Sequence, residues 1–145
     1  MKFNSQICTT REQSERLLVL GLKKETADMC WQTTTLNGEP ITYPSQDVWM
    51  NGSIITNNHF PAWSLGRLLE MLPSPIKLKD DLPTFHPYAF LGLSQVSVNY
   101  HWRDYDEEER YLVGFYGNGF FAAVVDAIDW LIKEGYFPKE YLCEK

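Results

Sequence analysis

An α+β fold is predicted by three features of this sequence: an antiparallel sheet built from two hairpins, with about three helices packed on one face. Apolar residues recur at helical spacing in three segments, and two other regions pair extended patterns across short connections. Connections that short permit antiparallel pairing but not the long crossover of a parallel sheet. The 145 residues are read as one domain, 1–145, and a chain of that size buries roughly 68–70% of its unfolded surface.

Thr9 and Thr10 stand three residues before Glu12 and Gln13, so either threonine can open a helix with a capping box. Glu12 and Arg16 pair one turn apart, and Leu17, Leu18 and Leu20 supply an apolar face. Gly21 then ends the helix, which spans about Thr10 to Leu20, with Leu22 placed to fold back as the contact of a Schellman motif. Met29 to Leu36 is rich in threonine, Asn37-Gly38 is a strong two-residue hairpin signal, and Ile41-Thr42-Tyr43 resumes the extended pattern. Ser53 to Thr56 reads as a short strand or a loop.

Leu65, Leu68, Leu69 and Leu72 keep the i, i+3, i+4, i+7 spacing of an amphipathic helix. Ser64 is placed as its N-cap, Trp63 as a staple onto Leu68, and Pro73 as its stop. The proline-rich stretch from Pro73 to Pro87 reads as a surface loop. Gln95 to Trp102 alternates, with Val96, Val98, Tyr100 and Trp102 on one face, and Tyr111 to Tyr116 answers it across the acidic segment Asp104 to Glu109. Gly114 and Gly117 mark a bulge and the exit toward the last helix. That helix, within Asn118 to Gly135, carries two adjacent apolar stripes: Phe121, Val125, Ile128 and Ile132 beside Phe120, Val124, Ala127 and Leu131. Asn118 is its expected cap, Asp129 and Lys133 an outer ion pair, and Gly135 its left-handed end.

The segments T-T-R-E-Q-S-E-R-L-L-V-L-G-L-K-K-E-T-A-D-M, P-A-W-S-L-G-R-L-L-E-M-L-P and D-A-I-D-W-L-I-K-E-G-Y resemble a family of small uncharacterised proteins of gut anaerobic bacteria and their phage-like or conjugative elements. The resemblance spans most of the chain except Pro73 to Gly92. It implies a bacterial, mobile-element-associated context and names no catalytic residue.

Composition narrows the function classes. A net charge of −6 disfavours nucleic acid as a partner, since that affinity rests on cations that displace counterions from phosphates. The acidic run Asp104 to Glu109 keeps open a mimic that blocks a nucleic-acid-binding protein. Cys8, Cys30 and Cys143 are odd in number and widely spaced, as suits free thiols in a reducing compartment. With no apolar leader and no long apolar run, the expected location is the cytoplasm, with no membrane partner.

Few residue sets carry chemistry. Ala62-Trp63-Ser64-Leu65-Gly66 has the outline of a nucleophile elbow, but the chemistry needs a strand before the serine, and Asn57 to Pro61 does not read as one. Ser64 as a helix cap accounts for the same letters. His101, Asp104 and Asp106 share a hairpin end without the spacing of a closed metal site, and a solvated tip is the favoured reading. Cys30 beside Trp31 reads as packed and inert. No glycine-rich phosphate loop occurs, so cofactor binding has no support. Crowded aromatics on both faces of the second hairpin predict a partner or self-association surface near Leu112 and Tyr116. The expected function is therefore a non-catalytic binding or accessory protein that acts through protein–protein contact. The alternatives are a small hydrolase using Ser64 or the His101/Asp104 end, and the acidic mimic.

Overall fold

A computed structural model describes residues 5–46, 59–77, 84–91, 96–103 and 109–144. Contacts divide the chain into two compact units, Met1–Glu70 with Glu140–Lys145, and Met71–Lys139.

In the first unit, helix α1 (Arg11–Val19) begins at Thr10, whose hydroxyl accepts from the Gln13 N–H while the Gln13 side chain returns to the Thr10 N–H. Of the two threonines that can open this helix, Thr10 does so. Gly21, at φ 97°, ends it with the two bonds of a Schellman motif, Leu22 N–H to Leu17 O and Gly21 N–H to Leu18 O. Leu22 is buried, as that motif requires of its hydrophobic contact.

Strands β1 (Met29–Leu36) and β2 (Glu39–Ser45) form the expected hairpin, closed by Asn37 and Gly38 with φ of 52° and 84°. Positive φ at both central residues matches the twist of the flanking strands and explains this pair of residue types. A third strand, β3 (His59–Ala62), pairs antiparallel on the other side of β1, so the sheet order is β2-β1-β3. This corrects the expectation that the stretch before Ser64 is no strand. The reason is position: β3 is an edge, where the missing N–H of Pro61 removes no ladder bond that the sheet needs. Ser53 to Thr56 lies outside the described residues. Helix α2 (Leu65–Glu70) follows, and the terminal segment is tied back by Lys23 N–H to Tyr141 O and Cys143 N–H to Gly21 O.

The second unit holds a separate four-stranded antiparallel sheet, β4 (Ile76–Lys77), β5 (Thr84–Leu91), β6 (Val96–Arg103) and β7 (Glu109–Gly117), in that order. The α+β class and antiparallel pairing are as predicted, with each hairpin in its own sheet. Part of the predicted loop from Pro73 to Pro87 is strand. Pro87 is tolerated inside β5 because β4 reaches only Thr84 and Phe85, which among the described residues leaves β5 without a partner on that side beyond them.

Helix α3 (Phe120–Lys133) packs on β6 and β7 and buries Phe121, Val124, Val125, Ile128 and Leu131, drawn from both predicted stripes. Two details differ from expectation. Gly119, not Asn118, occupies the N-cap, with no side-chain hydrogen bond. The Asp129–Lys133 pair forms at 2.7 Å, but Asp129 is buried rather than on an outer face. Gly135 ends the helix as predicted, with Tyr136 N–H to Leu131 O and Gly135 N–H to Ile132 O. No helix among the described residues is long and apolar enough to cross a membrane.

Candidate functional site

Strand alternation sorts the β6–β7 hairpin into two faces. Val98 and Tyr100 are fully buried, and Phe115, opposite Val98, lies 6.0 Å from the Trp130 ring of α3. Val98, Tyr100 and Phe115 therefore lie on the helix-covered face, as the pattern predicts. Burial pushes the Tyr100 phenol well above its usual range, and its hydroxyl donates to Pro73 O at 3.1 Å.

The outer face carries Ser97, Asn99 and His101 on β6, with Gly114 and Tyr116 opposite Asn99 and Ser97. The ladder shifts register between Tyr100 and His101, so that Val113 faces Tyr100, Tyr111 faces His101, and Leu112 is the extra residue of a bulge. The predicted bulge at Gly114 is thus displaced to Leu112. Gly114 has a different role: a Cβ there would lie 2.5 Å from Asn99 Oδ1 and 3.1 Å from the Tyr116 hydroxyl. Its bare backbone leaves room for both the Asn99 amide and the Tyr116 ring.

Ser97 and Asn99 are buried despite their polarity. Asn99 Nδ2 donates to Ser97 Oγ at 3.0 Å, whereas Asn99 Oδ1 is buried with no hydrogen-bond partner. Tyr116, opposite Ser97 in the ladder, is 57% exposed, and Leu112 is half-buried. Both residues predicted for a partner surface are thus accessible on the hairpin. His101 is half-buried opposite exposed His86, which shares a 3.1 Å hydrogen bond with Ser74 Oγ. Asp104 and Asp106, the other members of the predicted hairpin-end set and part of the acidic run, lie outside the described residues.

Ser64 follows β3 and precedes α2, a strand–serine–helix order that meets the condition the sequence reading withheld. Its hydrogen bonds decide its role. The hydroxyl makes a short bond to Asp28 Oδ2 and accepts from the Arg67 N–H at 3.2 Å, and the Ser64 N–H donates to Asp28 Oδ1 at 2.8 Å. Asp28 and the first turn of α2 hold the oxygen as a cap, and among the described residues no imidazole is bonded to it to take its proton. Ser64→Ala is expected to lower stability by about 1 kcal/mol without other consequence. A serine-reactive phosphonate probe that labels Ser64 would contradict the cap reading.

Cys30 is buried, as expected. Cys8, which the sequence does not single out, is buried beside it, and its thiol is pushed up to about 11, first by burial and then by Asp28 and Cys30. At neutral pH it is protonated and a poor nucleophile. Cys8 also lines an open groove of about 390 Å³ with Ser5, Gln6, Ile7, Thr10, Trp31 and Pro44. No sequence pattern signals this groove. Among the described residues no group of three or more His, Cys, Asp or Glu is placed to hold a metal ion.

Compared with protein-family models, curated proteins and solved structures, the chain matches none of them.

Proposed function

We propose that this chain is a non-catalytic binding protein that acts through protein–protein contact on the outer face of the β6–β7 hairpin, around Leu112 and Tyr116. A single observation carries the reading: a tyrosine that leaves 57% of its surface in water stands on a regular strand, its ring laid over Gly114. Tyrosines are favoured at contact surfaces because they offer large amphipathic area with little rotamer entropy to lose. An accessory role in a bacterial mobile element belongs to the same proposal and rests on the sequence resemblance alone.

The test is the double change Leu112→Ser and Tyr116→Ser, followed by chemical denaturation. Side chains kept for contact leave stability within about 1 kcal/mol of the wild type when removed. A loss of several kcal/mol would place both in the core and reject the surface.

A further inference from the structure

We propose that β7 pairs with the β7 of a second copy of this chain, antiparallel and centred on Gly114, so that two sheets join edge to edge. This rests on the reading of the hairpin as a contact surface and names its occupant. A sheet edge presents a row of outward N–H and C=O groups, and another extended backbone is the chemistry that satisfies them.

Among the described residues the sheets have four edges, and three are blunted. β2 carries Pro40 and Pro44, β3 is four residues long with Pro61, and the edge at the other end of the second sheet is the two residues of β4 followed by β5, which carries Pro87. β7 is nine residues long and contains neither proline nor lysine. Its bulge lies at Leu112, so Val113 to Gly117 stay in regular register with β6. α3 covers one face of the hairpin, and no described side chain of β7 from Leu112 to Gly117 is buried.

The choice of a second copy follows from charge and symmetry. Tyr111 to Gly117 is uncharged, so two copies meet without opposing like charges despite a chain charge of −6. A two-fold axis at Gly114 sets Val113 of one copy opposite Phe115 of the other, twice, and brings Tyr116 of each copy to the bulge at Leu112 of the other. The far edge of the sheet is the two residues of β4 followed by β5 with its Pro87, and a self-complementary pair of β7 strands closes at two chains.

The experiment is sedimentation velocity of the full chain over a wide concentration range, with NMR on a mixture of isotope-labelled and unlabelled chain to detect Gly114 against its own copy. The expected result is a reversible dimer of the 16.9 kDa chain with that contact present. Tyr116→Lys, which places a natural edge-blunting residue at an exposed site, should weaken the dimer by roughly tenfold or more with circular dichroism unchanged. A chain that stays monomeric, or a dimer that lacks the Gly114 contact and ignores Tyr116→Lys, overturns the inference. Monomeric wild type with a stable Leu112→Ser, Tyr116→Ser variant rejects only the second copy as occupant. A double variant that unfolds rejects the contact surface itself.

Discussion

Truncation of Trp63 to alanine is expected to cost about 3–5 kcal/mol, the largest loss from any single change considered in this fold. The ring is fully buried. Its backbone N–H donates to Thr9 Oγ1 at 3.0 Å, its carbonyl accepts from Thr9 N–H at 2.9 Å, and its indole N–H donates to Thr26 Oγ1 at 2.9 Å. Thr26 in turn donates to Lys23 O at 2.6 Å, and Thr9 Oγ1 shares a hydrogen bond of 2.7 Å with Ser14 Oγ. Trp63 is thus both the largest fully buried side chain among the described residues and the junction between the chain before α1, the turn before β1 and the start of α2. Alanine keeps the backbone bonds and loses the volume and the indole donor. Trp63→Phe separates the two, since it keeps most of the volume and removes one buried hydrogen bond at a cost of about 1–3 kcal/mol. The urea denaturation midpoint measures both changes. A loss below about 1 kcal/mol for the alanine variant would contradict the assignment of Trp63 to the core.

The second large effect is a reversal of sign. In a strand, alanine is ordinarily better than glycine by roughly 0.5–1 kcal/mol, because glycine loses more backbone entropy on folding. At Gly114 the new methyl would meet Asn99 Oδ1 at 2.5 Å and Tyr116 at 3.1 Å. Real Cβ contacts do not close to the first of these distances, so Asn99 or the strand must shift. Gly114→Ala is therefore expected to destabilise by about 1–3 kcal/mol. Asn99→Ala in the same chain removes the obstructing oxygen and should recover much of the loss, with a coupling of about 0.5–3 kcal/mol. Thermal melting of the two single variants and the double variant closes the cycle. A stabilising Gly114→Ala would show that no close contact holds Asn99 in place.

Much of the fold was legible in the sequence because it rests on local rules. The Thr10 capping box, the Asn37-Gly38 turn and the glycine ends of α1 and α3 depend on residues within a few positions of one another. β3 and β5 were missed because prolines argue against strands. What tolerated Pro61 and Pro87 was an unpaired side of the sheet, and sequence does not say which strands are edges. Asn118 lost the cap to Gly119 in a turn where a Cβ on Gly117 would lie 2.9 Å from Ala122, a packing constraint invisible to cap preferences.

The candidate site was half legible. Alternation put Tyr116 on the face away from Phe115, and register places it opposite Ser97. It did not show that Ser97 and Asn99 are buried on that face, or that a glycine faces the asparagine across the ladder, which is a matter of register. The groove beside Cys8 and Trp31 brings together segments far apart in the chain and leaves no local signature.

The most direct test of the claim that this chain works by contact through its second hairpin is sedimentation velocity of the wild type beside the Leu112→Ser, Tyr116→Ser variant. The account predicts a wild type that associates as its concentration rises and a variant that stays a single chain with an unchanged melting temperature. A monomeric wild type beside a variant that has lost its fold would contradict it.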